Sequence, residues 1–226
     1  MLLPIPAVLS ADEVATVVRA LRQGHFVDGR LTAGAAASEV KQNLELDRDD
    51  PTPLKETLAR AIVGSLYRHP TFQEAALPHR IATPIFARYQ SGMFYGDHVD
   101  DPIMGQQEGR YRSDISCTVF LSDPDSYAGG ELTIRTSYGV QQFKLAAGDA
   151  VIYPSHSLHR VAEVTSGERL AAVLWIQSLV RDSSRRELLY ELAQARRQLL
   201  QQERGSTTCD AVDRSYVNLL RMWAET

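Results

Sequence analysis

His98 and Asp100 place an imidazole and a carboxylate two positions apart, and on extended chain such a pair points to one face. One divalent ion can take both. Two histidines and one carboxylate on a single face suit a borderline metal and leave positions open for substrate and oxygen, as in non-haem iron(II) oxygenases. The second histidine has to come from a distant strand. His159 opens an apolar run with Val161 and Val164, shortly after the Gly148-Asp149 turn and a strand expected at 150–153. His156 competes for the role, but Pro154-Ser155-His156-Ser157 reads as a loop, which makes it the poorer candidate. His25, His69 and His79 fall in helix-end or loop contexts and are read as exposed or cap-forming.

Arg169 adds a second kind of chemistry. A co-substrate that chelates iron through a keto-acid end and carries another carboxylate needs a bidentate cation for its far end. Arg169 lies ten positions after His159, across the Thr165-Ser166-Gly167 turn, at the head of an apolar strand that runs to Trp175. The other reading of Arg169 is an ordinary strand-end arginine in a surface ion pair. The order pair, histidine, arginine favours the anion clamp.

The elements that must position these groups are legible in outline. Ser10 followed by Glu13 is a capping-box pattern, and Val14, Val17, Val18 and Leu21 recur at helical spacing until Gly24. Thr52 and Pro53 suit the start of a second helix carrying Leu54, Leu58, Ile62 and Leu66 and ending before Pro70. From residue 84 the texture changes to short runs rich in Val, Ile, Phe, Tyr and Thr between turn residues, with strands expected at 85–90, 112–121, 131–135, 141–145, 150–153, 159–164 and 170–178. Short strands in such number without intervening helices argue an antiparallel double sheet or a jelly roll. Asp182 or Ser183 caps a further helix with Leu188, Leu189, Leu192, Ala195 and Leu199 on one face. Beyond a break at 205–209 a last helix holds Tyr216, Leu219, Leu220 and Trp223.

Composition bounds the rest. With 226 residues, 44% of them hydrophobic, the chain buries a full core, and a formal net charge of -4 gives no reason to expect nucleic acid or an anionic membrane as partner. Two cysteines, Cys117 and Cys209, offer neither a disulfide framework nor a cysteine metal cluster, and the expected location is cytoplasmic. The apolar start, residues 1–9, lacks a basic lead and contains Pro4 and Pro6; it reads as a buried segment leading into a helix, not a signal peptide.

Several stretches together resemble a known family. They are Arg88-Tyr89 with Gly92, Tyr95, His98 and Asp100; Tyr127-Ala128-Gly129-Gly130-Glu131-Leu132; Gly148 to Ser155; Ser157-Leu158-His159-Arg160-Val161 running to Gly167-Glu168-Arg169; and Trp175 to Asp182 with the helical tail. The chain resembles 2-oxoglutarate- and iron(II)-dependent dioxygenases of the prolyl 4-hydroxylase type and, more closely, the bacterial PKHD-type hydroxylases, also called PiuC-like iron-uptake factors. The likeness runs over nearly the whole chain.

The resemblance implies an α+β fold with a double-stranded β-helix (jelly-roll) core at 81–180, an N-terminal supporting segment with helices at 1–80, and a small C-terminal helical appendage at 181–226. It implies His98, Asp100 and His159 as ligands of Fe(II), with Arg169 clamping the distal carboxylate of 2-oxoglutarate and Tyr89 in position to hydrogen-bond that co-substrate. The implied reaction couples decarboxylation of 2-oxoglutarate to succinate with hydroxylation by O2 of a small molecule or an amino-acid side chain, and the family name implies a connection with iron uptake. Ascorbate is the implied activator. Phe120 stands where animal relatives carry a second tyrosine, so Ser116 or Thr118 is the expected hydroxyl there; Gly129 and Gly130 read as structural, and Glu131 either faces the metal cavity or is a solvated strand-initial acid. The polar segment 101–111, with Gly105 and Gly109, reads as a lid. Two rival classes share the triad: a sensor of iron or 2-oxoglutarate without turnover, and a cupin-like metalloenzyme that does not use 2-oxoglutarate. For the helical tail the alternatives are covering the core and forming a homo-oligomer through Leu219, Leu220 and Trp223.

Overall fold

In the computed structural model, which describes residues 1–49 and 53–225, one strand sets the plan of the molecule. Along Arg169–Ser178, side chains alternate between two faces. Leu170, Ala172, Leu174 and Ile176 join a cluster with Leu58, Ile62, Leu66 and Phe72, whereas Arg169, Val173 and Trp175 line an internal cavity. A sheet with one face covered by helices and the other turned inward follows from that alternation.

The sheet has eight antiparallel strands. Its order is Leu3–Ile5, Ala150–Pro154, Ile115–Phe120, Arg169–Ser178, Ile85–Tyr89, Leu44–Leu46 and Phe26–Asp28, and Pro78–Ile81 pairs with the far end of Arg169–Ser178. Opposite it lies a five-stranded sheet in the order Gly139–Phe143, Leu132–Thr136, His159–Val161, Phe94–His98 and Lys41–Gln42. Buried residues of both sheets, among them Tyr89, Phe120, Leu132, Ile134, Tyr153 and Val161, form the packing between them. The two layers make the expected jelly roll.

Helices Ala11–Leu21, Leu54–Arg68 and Pro70–Ala76 supply residues to the outer cluster. The Ser10–Glu13 capping box forms with both of its reciprocal bonds. Thr52 lies outside the described residues; Pro53 occupies the cap position before Leu54. The helix Pro70–Ala76 was not expected. Proline has no N–H to lose at a first helical turn, so Pro70 starts a new helix as well as stopping the old one.

Other expectations shift in detail. The run 112–121 divides at Ser113 and Asp114 into Tyr111–Arg112 and Ile115–Phe120, and the run 159–164 divides into His159–Val161 and Val164–Gly167. The first 80 residues carry not helices alone but short strands in both sheets. Strands of two or three residues are too short for alternation to be read. The C-terminal helices Ser183–Gln202 and Thr207–Trp223 are capped by Asp182 and Ser206. Tyr216, Leu219, Leu220 and Trp223 pack on Leu77, Val180 and Leu189 of the same chain. No helix among the described residues is long and apolar enough to cross a membrane.

Candidate metal centre

Strands Phe94–His98 and His159–Val161 are antiparallel neighbours, and their register sets His98 directly opposite His159. Directly opposite side chains share a face. The ring centroids are 4.2 Å apart. Asp100 follows the end of its strand by two residues, with Oδ2 3.8 Å from His159 Nε2. One donor atom from each of His98, Asp100 and His159 lies within 4.8 Å of the others.

The surroundings fix the chemistry of these donors. His98 Nδ1–H donates to the Gly96 carbonyl at 2.8 Å and His159 Nδ1–H donates to the Ser157 carbonyl at 3.0 Å. Each bond selects the tautomer whose Nε2 lone pair is free. Burial, and then the neighbouring His159, push the His98 pKa down to about 4, so the ring is neutral near pH 7. Asp100 Oδ2 accepts from Ser116 Oγ, which lies 2.9 Å from Ser155 Oγ. Tyr95 stacks on His98 at 3.6 Å between centroids, and Tyr153 meets His159 edge-on. Two neutral imidazoles and a carboxylate, oriented in this way, fit a borderline divalent ion, iron(II) included.

His156 does not join them; it is exposed in the loop read from the sequence. His25 lies against Asp47, His69 against the Pro6 carbonyl, and His79 is exposed.

Arg169 is 1% exposed, and its Nε and Nη1 have no hydrogen-bond partner among the described residues. The surface ion pair considered as its alternative is thereby removed. A buried guanidinium with orphaned donors is costly unless an anion completes it. Tyr89 is its cross-strand partner in register, and the guanidinium carbon lies 5.1 Å from the Tyr89 ring centre and 5.5 Å from that of Phe120. Burial pushes the Tyr89 phenol up to about 12, against the pull of Arg169, so it keeps its proton. Gly130 makes room here: at its φ of +70°, a Cβ would stand 3.1 Å from Arg169 Cδ, 3.0 Å from Tyr127 and 2.9 Å from Val164.

Both groups, the triad and Arg169, line one cavity of about 680 Å³. Segment 101–111 supplies part of the wall through Asp101, Ile103, Met104 and Tyr111, and is built as a short hairpin in which Ile103–Met104 pairs with Tyr111–Arg112. Ser116 is committed to Asp100, which leaves Thr118 on the cavity wall as the hydroxyl of that pair. Of the two readings for Glu131, the structure favours the strand-initial one: it is not among the cavity's lining residues, and its position before the strand Leu132–Thr136 places it off the inner face.

Two features escaped the sequence reading. Tyr127 has a buried hydroxyl with no hydrogen-bond partner among the described residues, beside Gly130 and Arg169. Nothing in its local sequence marks it, because the contact depends on the pairing of Tyr127–Gly129 with Val164–Gly167. Lys41 and Glu45 form a buried ion pair of 2.5 Å on the cavity wall, with Thr32 bonded to both, and Lys41 Nζ lies 5.0 Å from the Tyr95 ring centre. The alternation Lys41, Asn43, Glu45 was the available signal.

The chain resembles known proteins along its whole length. Residues 84–177 match the family model described as the 2OG-Fe(II) oxygenase superfamily, and residues 183–225 match the PKHD-type hydroxylase C-terminal domain. The chain is 50% identical to a PKHD-type hydroxylase of Thioalkalivibrio sulfidiphilus and 46% identical to one of Shewanella sp., with 100% of both chains covered in each case. It is similar in structure to a Trichoplax adhaerens prolyl hydroxylase in complex with a hypoxia inducible factor peptide fragment, at TM-score 0.56 and 15% identity, covering 83% of this chain and 86% of that one. A Pseudomonas putida prolyl-4-hydroxylase gives TM-score 0.52 at 18% identity, covering 78% and 92%. At these identities the structural likenesses establish the jelly-roll fold.

Proposed function

The chain belongs to the PKHD-type hydroxylases, enzymes of the 2OG-Fe(II) oxygenase superfamily, and from that premise we propose that His98, Asp100 and His159 hold its iron(II) while Arg169 holds 2-oxoglutarate. The observation that carries the assignment is the buried Arg169, with Nε and Nη1 unpartnered, in the same cavity as the triad. A dicarboxylate chelating the metal through its keto-acid end has a far carboxylate to place, and a guanidinium fork matches it.

When bound, iron and 2-oxoglutarate supply the oxidising power, with decarboxylation to succinate and CO2 coupled to hydroxylation of a C–H bond. The protein's own part is position and enclosure. Gly96 and Ser157 carbonyls hold the imidazoles with Nε2 inward, Ser116 orients the Asp100 carboxylate, and Tyr95 fixes the plane of His98. Leu132, Val161 and Val173 form apolar wall that limits water around the metal. Tyr89, protonated beneath Arg169, is the phenol available to the co-substrate, and the buried Tyr127 hydroxyl is a second donor at the same end.

The substrate is a small molecule or an amino-acid side chain, for which a cavity of about 680 Å³ has room beside the co-substrate. A link to iron uptake and activation by ascorbate belong to this reading. The test is succinate formation by the purified protein with iron(II), 2-oxoglutarate, O2 and ascorbate. Turnover is expected, at least uncoupled from substrate, and is expected to vanish in His98→Ala. Tight binding of iron and 2-oxoglutarate without any succinate would make the protein a sensor instead.

A further inference from the structure

The cavity carries more positive charge than the co-substrate uses. Besides Arg169, its lining includes Lys41, Arg48, Lys55 and Arg80, with Glu45 and Asp101 as the carboxylates outside the triad. Lys41 is neutralised by Glu45. Arg48, Lys55 and Arg80 make no ion pair among the described residues, so among the described lining residues three cations stand beside one carboxylate outside the triad and the Lys41–Glu45 pair, in a chain of net charge -4. A local excess opposite to the overall sign selects anions.

Position separates Arg80 from the Arg169 site. Arg80 is paired with Gln177 on the strand that begins at Arg169, and eight residues of strand span roughly 26 Å. A five-carbon diacid cannot bridge that distance. Ser116, which holds Asp100, is paired with Trp175, so along the strand the triad stands between Arg169 and Arg80. Arg80 is also pre-oriented, its guanidinium carbon 4.8 Å from the Tyr111 ring centre on the hairpin. At the same level the Trp175 Nε1–H is buried, without a partner among the described residues and on a cavity-lining residue, a donor in want of an acceptor.

We propose that the oxidised substrate is a small molecule carrying a carboxylate, bound on the far side of the metal from 2-oxoglutarate by Arg80, Arg48 and Lys55, with the Trp175 N–H as an additional donor. The inference rests on the assignment of Arg169 to 2-oxoglutarate. Its probes are three dansyl amino acids, dansyl-glutamate, neutral dansyl-glutaminamide and cationic dansyl-lysinamide, titrated by fluorescence anisotropy into the anaerobic protein loaded with iron(II) and 2-oxoglutarate. The glutamate probe is expected to bind about tenfold more tightly than the other two, with the preference shrinking at high salt. In Arg48→Glu/Lys55→Glu/Arg80→Glu the preference is expected to disappear while 2-oxoglutarate still binds; Arg80→Gln alone gives a partial loss if the triple variant does not fold. No preference among the probes in the unaltered protein, including no binding of any, overturns the proposal, as does a preference that survives the triple variant. Loss of 2-oxoglutarate in the triple variant, with its retention in Arg169→Ala, overturns the Arg169 assignment itself.

Discussion

On the proposed assignment, Ser116 touches no metal yet sets the direction of a metal-ligating carboxylate. Its hydroxyl is fully buried, donates to Asp100 and has Ser155 behind it. Without it, the Asp100 carboxylate loses a buried hydroxyl donor and the side chain its fixed direction. Ser116→Ala is therefore expected to weaken iron(II) about tenfold, measured by anaerobic competition with a chelator, without loss of fold. Unchanged iron affinity would mean that the strand end alone orients Asp100. His98 belongs to the same scale. With its pKa held near 4 by burial and by His159, it needs no deprotonation to serve as a ligand near pH 7.

At the scale of elements, the site is a consequence of register. The two histidines meet because His98 and His159 are paired across two strands, and Arg169 meets Tyr89 for the same reason. A slip of one residue would turn each side chain to the opposite face. Gly130 is where an element yields to the site, since any Cβ there presses on Arg169, Tyr127 and Val164 at a positive φ. Gly130→Ala is expected to cost about 1–2 kcal/mol of stability in urea unfolding and to weaken 2-oxoglutarate binding while iron binding persists. The triad and Arg169 were legible because His98-x-Asp100, the later His159 and the strand-leading Arg169 are patterns of type and order. Tyr127, and the Lys41–Glu45 pair, were not, because what matters about them is which distant strand they lie against. Glu131 was open between the metal cavity and solvent, and one residue of position before the strand Leu132–Thr136 decides it for the second, off the inner face.

In the whole molecule, the helical end of the chain is tied to the core by packing and by charge. Leu189 is fully buried with Leu77 and Val180; Arg186 donates to the Val180 and Arg181 carbonyls, and Arg197 pairs with Glu74 at 2.6 Å. Leu189→Ala is expected to destabilise the protein by about 2–5 kcal/mol in denaturant melts, with 2-oxoglutarate affinity unchanged where it is still folded. The jelly-roll centre and the helical ends were readable from periodicity, whereas the short strands contributed by the first 80 residues acquire meaning only in the assembled sheets. What joins fold to the proposed function is the shared cavity, in which three candidate metal donors and an arginine unpartnered at Nε and Nη1 among the described residues face the same space. Calorimetric titration of 2-oxoglutarate into the anaerobic iron(II)-loaded protein and into Arg169→Ala puts that arrangement to the test. The variant is expected to keep its iron and lose at least about 30-fold in 2-oxoglutarate affinity; an affinity equal to that of the unaltered protein, with iron bound in both, would contradict the assignment.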